Sequence, residues 1–193
     1  MISELEHPDE LRHGLGPIWA ATRVANPDFA ATGPVTFHGG AVFTIAADAW
    51  KQAVFSPVLL PGLRAALSHA RRGEFRELCD LDRHLSATLD RAALEGSTGA
   101  GHRLALHGCD LRGDRMLPRL GEAVRSGSTP GHLAVIFAAR CATFSLPDRT
   151  TVGAYLFQEI CAGSPIAPVV EVCDFVAACI EPLGGAAFEL RAA

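Results

Sequence analysis

The sequence predicts an all-α protein, an antiparallel multi-helix bundle. Apolar residues recur every three or four positions over most of the chain. Pro and Gly recur where such stretches begin or end, leaving only short connections between neighbouring helices. No run alternates apolar and polar residues long enough to make a half-buried strand. Seven to nine helices follow from these signals, within 193 residues of which 49% are hydrophobic.

Residues 1–38 read as an irregular N-terminal segment, with a short helix possible at Ser3–His13. Pro8, Pro17, Pro27 and Pro34 alternate there with Gly14, Gly16 and Gly33, and such residues interrupt regular structure. The helical bundle domain then runs over 39–193. "GGAVFTIAADAWKQAVF" reads as its first helix. A new one is expected at Ser56, the N-cap, with Pro57 in the first helical position. Gly73 is the expected stop. Phe75, Leu78, Leu81, Leu85, Leu89 and Ala92 form the clearest stripe of the chain. Asp80, Asp82, Asp90 and Glu95 are assigned to the wet side of that helix.

"GSTGAG" (96–101) interrupts or tightly packs the helix, and a short helix is expected around Leu117–Val124. Thr129 caps the next helix, whose stripe holds Leu133, Ile136, Phe137 and Cys141. Ser145 and Pro147 open another, with Val152, Tyr155, Leu156 and Ile160 as its stripe. Ser164-Pro165 open the last, which stops at Pro182.

Net charge is −4 and charged residues make up 20%, a balance that gives no support to nucleic-acid binding. Lys51 is the only lysine. The longest smooth apolar run, Leu133–Leu146, is shorter than the ~20 residues a bilayer span requires. The acidic start, broken by Pro8, does not read as a secretory leader. A cytoplasmic protein with no membrane partner is expected. Its six cysteines, in apolar runs without CxxC spacing, read as reduced core residues.

Two strings imitate catalytic motifs. "GSTGAGHR" (96–103) has the GxxxxG spacing of a phosphate loop, but His102 and Arg103 stand where Lys and Ser/Thr belong. "TFHGGAVFTIAAD" (36–48) resembles the HGG…D segment of hotdog-fold acyl-CoA thioesterases. That likeness implies thioester hydrolysis on the helix start His38-Gly39-Gly40, with Asp48 assisting water. The fold would need several long strands downstream, and the sequence offers almost none. The eight histidines show neither HxxxH nor HExxH, so no metal ligands and no cofactor are assigned.

A second resemblance covers most of the chain. Leu78, Leu81 and Asp82 fit a "Leu-x-x-Leu-Asp" helix, and Glu95, Ser97 and Gly101 a "Glu-x-Ser-x-x-x-Gly" segment. Gly131, His132, Val135 and Phe137 fit a "Gly-His-x-x-Val-Phe" helix, followed by Tyr155-Leu156. "EPLGG" (181–185) fits a "Pro-Leu-Gly-Gln" ending, with Gly185 in place of Gln. In these motifs the chain resembles the urease accessory protein UreF family, from about Pro57 to Gly184. The family's N-terminal motif survives only as Pro34, Phe37, His38 and Gly40.

That resemblance implies a non-enzymatic adaptor or chaperone. It would be an all-helical homodimer that contacts a urease accessory scaffold protein and a nickel-binding GTPase during nickel insertion into urease. It also implies partner contacts at Gly131, His132, Tyr155, Pro182, Leu183 and Gly184.

Overall fold

A computed structural model describes residues 8–27, 35–107, 115–164 and 167–183; side chains are described from residue 16 onward, Val169 excepted. Among the described residues there are helices and no strands. In chain order they are α1 (Pro8–Ala25), α2 (Phe43–Trp50), a π-helical stretch (Lys51–Leu59), α3 (Leu60–Arg72), α4 (Phe75–Thr88), α5 (Arg91–Leu106), α6 (Met116–Arg125), α7 (Leu133–Thr143), α8 (Asp148–Gly163) and α9 (Val169–Ile180), with a 3₁₀ turn at Glu181–Leu183.

The centre of the bundle is α7. Every residue from Leu133 to Cys141 is buried, and in α8 every residue from Thr150 to Ile160. A helix apolar all round belongs inside a fold, where each face meets a neighbour. α7 packs mainly on α3 and α5, and α8 on α1 and α9. Arg140 is the charged exception within α7, only 3% exposed. Its Nε donates to the carbonyl of Ala25 at 2.6 Å and its Nη1 to that of His107 at 2.9 Å. It thereby ties the C-terminal ends of α1 and α5, where backbone carbonyls lack helical partners.

The N-terminal region departs from expectation. Residues 8–25 form a helix that continues through Pro17. Proline there removes one backbone hydrogen bond; burial of Ile18, Ala21, Thr22 and Ala25 offsets the loss. Gly153 of α8 lets α1 approach, since a Cβ on it would lie 2.8 Å from Ile18 Cδ1. Thr22 Oγ1 contacts the Ala154 carbonyl at 3.3 Å, and Asn26 donates to Gln158 at 2.6 Å. Val35 and Phe37 are fully buried in the same core. Residues 18–26 and 35–37 thus contribute to the bundle.

Three helix boundaries also move. No new helix starts at Ser56: the rod runs on from α2 through the π-helical stretch into α3, with Pro57 inside it. The wider π turn accommodates a residue without an N–H, and Trp50 stacks on Phe55 five positions on, centroids 5.4 Å apart. The long stripe after Phe75 breaks at Leu89, where Asp90 caps α5 by accepting from Ala93 N at 2.9 Å. "GSTGAG" lies within α5. The cap of α7 is His132, whose Nδ1 accepts from Ala134 N at 3.1 Å; Thr129 is committed elsewhere. Gly73 is the expected stop of α3, with φ +73°. α8 begins after Pro147. Ser164 precedes α9, but Pro165 lies outside the described residues.

Candidate functional site: the junction at the start of α7

Five of the motif residues, Asp82, Ser97, Gly101, Gly131 and His132, converge on one place. Asp82, on α4, is completely buried rather than on the wet side. Its Oδ2 accepts from Thr129 Oγ1 at 2.5 Å and from Gly131 N at 2.6 Å, while Oδ1 accepts from His132 N at 2.7 Å. Ser97, on α5, accepts from Leu133 N at 3.1 Å. The first amides of α7, which have no helical acceptors, are therefore met by side chains of α4, α5 and His132. Burial pushes the Asp82 carboxyl up, and the hydrogen bonds from Thr129, Gly131 and His132 oppose that shift.

Two glycines make the junction possible. Gly131 has φ +78°, the left-handed region that disfavours a side chain. Gly101 sits so close that a Cβ would lie 1.9 Å from the Gly131 carbonyl oxygen. The small-residue string in α5 is thus a contact surface for the turn before α7. This excludes the phosphate-loop reading, because no loop exists there.

A second polar node lies between α8 and residues 36–37. Tyr155 O–H donates to Glu159 Oε1 at 2.5 Å and its ring meets Phe137 edge-on. Glu159 Oε2 accepts from Thr36 N and Thr36 Oγ1, both at 3.0 Å, and from Phe37 N at 3.4 Å. All are buried. Sequence reading missed Glu159. The available signal was a carboxylate one turn after Tyr155, inside a run otherwise fit for the core.

The residues expected to touch partners divide accordingly. Gly131, His132 and Tyr155 are buried, so none of them presents a side chain outward. Their motif positions serve the inside of the fold. Burial lowers the His132 pKa to about 4. Pro182 is exposed and Leu183 half-buried; Gly184 lies outside the described residues. Large apolar side chains that do face outward include Val42 and Ile45 on the α2 side, Leu106 at the end of α5 and Val170 on α9.

The thioesterase alternative fails on this geometry. Gly39 N donates to the Gly163 carbonyl at 2.9 Å, so that amide is occupied. α2 begins only at Phe43, and no strand among the described residues wraps it. Asp48 is exposed. A pocket of about 190 Å³ between α5, α6 and α7, lined by Leu104, Leu117, Leu120, Ile136, Arg125 and Arg140 among others, is small beside ordinary ligand sites of ~300–1,000 Å³. Cys79, Cys141 and Cys179 are buried free thiols, and Cys161 and Cys173 are half-buried and free. Cys109 lies outside the described residues. No described helix is long and apolar enough to cross a membrane.

Fold and junction together define a protein, helical throughout its described elements, in which Asp82, Ser97 and His132 lock the start of a central buried helix. The UreF family model matches residues 47–161, more than half of the chain. The chain belongs to the UreF family, the urease accessory proteins of that name. No curated relative and no solved structure matches it.

Proposed function

We propose that this protein is a non-enzymatic adaptor that assists nickel insertion into urease through protein–protein contacts. Its partners are a urease accessory scaffold protein and a nickel-binding GTPase, and it works as a cytoplasmic homodimer. Nickel is cargo in this reading, handled by the partner GTPase. The family match over residues 47–161 carries the proposal. Supporting it, the matched span contains the α7 junction, where the Asp82 carboxylate, the Ser97 hydroxyl and His132 Nδ1 are spent on mutual packing. Such a body acts through its exterior, where Ile45 and Val170 are 68% and 65% exposed. Exposed apolar groups of this kind are commonly used at interfaces. Pro182 and Leu183 remain available for a C-terminal contact.

The test is co-purification of the full chain with the urease accessory scaffold and GTPase, beside urease activation in cells lacking this gene. A stable complex and nickel-poor urease on deletion are expected. Normal nickel loading without the gene, and no complex with either protein, would end the proposal.

A further inference from the structure

α2 and α9 pack against each other, with Phe43 and Phe175 edge-on at 6.1 Å. Each helix also turns a stripe to solvent. On the α2 side it is Val42, Ile45 and Asp48; on α9 it is Val170, Asp174 and Glu181. All six are exposed. Spacings of three, four and seven residues put each set on one side of its helix. The other sides hold the buried groups, Phe43, Ala47 and Trp50 on α2 and Val172 and Val176 on α9.

Across α2, the π-helical stretch, α9 and the closing 3₁₀ turn, the charged residues are Asp48, Glu171, Asp174, Glu181 and Lys51, a net −3. Lys51 is turned onto the Phe175 ring, its Nζ 5.8 Å from the centroid. None of the four carboxylates forms an ion pair with a described residue. Elsewhere Glu74, Asp80, Glu95, Glu122 and Asp148 each pair with an Arg. Glu171 lies in the first turn of α9, where the helix dipole favours an anion. Glu181 caps the opposite end, where the dipole opposes one. The face thus mixes exposed apolar groups with acids that the described fold leaves without a counter-charge. A second copy meeting it through the same face would set −3 against −3, and nucleic acid or anionic lipid brings the same sign.

We propose that this face docks a cationic amphipathic helix of a protein partner. Apolar side chains of that helix cover Ile45 and Val170, and its Arg or Lys side chains stand against Asp48, Asp174 and Glu181. The proposal rests on the adaptor reading above and adds where a partner sits and what charge it carries. An exposed ion pair changes affinity by up to about fivefold. Such rim charges act mainly on the association rate and its salt dependence.

Surface plasmon resonance of the full chain against the purified accessory scaffold protein and GTPase tests this, at about 50 and about 300 mM salt. The combination Asp48→Lys, Asp174→Lys and Glu181→Lys should weaken the wild-type complex about tenfold or more. A control triple at exposed acids elsewhere, Glu77→Lys, Glu95→Lys and Glu122→Lys, changes net charge equally and should weaken it less than about threefold. The neutral set Asp48→Asn, Asp174→Asn and Glu181→Gln, nearly isosteric at exposed positions, should give an intermediate loss and a flatter salt dependence. A wild-type chain that binds neither accessory protein ends the adaptor reading and this proposal with it. A wild-type complex weakened equally by both lysine triples, or indifferent to salt and to the neutral set, overturns the docking face alone. So does a homodimer that the neutral set dissociates or tightens, since a second copy would then occupy the face.

Discussion

Replacing Asp82 by alanine should be among the most damaging single changes in the protein. The carboxylate is the shared acceptor of three buried donors: Thr129 Oγ1, Gly131 N and His132 N, at 2.5, 2.6 and 2.7 Å. A buried donor stripped of its acceptor costs about 1–3 kcal/mol. Three of them set a gross loss of about 3–9 kcal/mol on the same scale. Two effects reduce it. Removing the side chain also removes the desolvation cost that pushes the carboxyl's pKa up, and the vacated space can admit a water that satisfies part of the set. A net loss of about 3–5 kcal/mol follows, a large fraction of the ~5–15 kcal/mol that holds a domain together. Urea unfolding followed by helical circular dichroism measures it at neutral pH. Asp82→Asn is the graded control. Its one oxygen can keep two donors while its NH₂ opposes the third, so about half the loss is expected. A loss below about 1 kcal/mol for Asp82→Ala would refute the reasoning, since that is the size of an ordinary surface change.

Three further outcomes follow from the same geometry. Gly101→Ala forces a Cβ to within 1.9 Å of a backbone oxygen, and should cost about 2 kcal/mol or more in the same urea assay because backbone must move. His132 has a folded pKa of about 4, below the ordinary histidine value. The unfolded chain therefore binds the extra proton between about pH 6.5 and that value, so stability falls with acidification by up to about 1.4 kcal/mol per pH unit. His132→Asn, which keeps a cap acceptor, should lose that share of the slope when melts at several pH values are compared. Ile45→Asp and Val170→Asp should leave the melting temperature within a few degrees, since both side chains face solvent. If these surfaces meet the accessory partners, co-purification should drop in at least one of the two variants.

Much of the architecture was legible in the one-dimensional pattern. The stripes at Phe75–Leu85 and Leu133–Cys141 repeat at helical pitch, and Gly73 marks a stop by chemistry local to one turn. Such features depend on residues a few positions apart, which is why composition and spacing suffice for them. The same holds for the family motifs, readable as strings at residues 78–82, 95–101 and 131–137.

Their purpose was not readable, because it depends on distances across the fold. Asp82 and His132 stand 50 positions apart and meet at 2.7 Å. Only the packing of α4, α5 and α7 turns an apparently wet aspartate into a buried acceptor, and the structure places Gly131, His132 and Tyr155, which the resemblance implied as partner contacts, in the interior. Proline density in residues 1–38 argued for irregular chain, yet α1 forms because α8 offers it a buried face, a gain no local rule contains. The sequence by itself determined that the chain is helical and where most helices lie, since helical periodicity is a short-range property. The tertiary structure alone decided which polar groups are buried, because burial and hydrogen-bond partnership belong to pairs of segments brought together by the whole core.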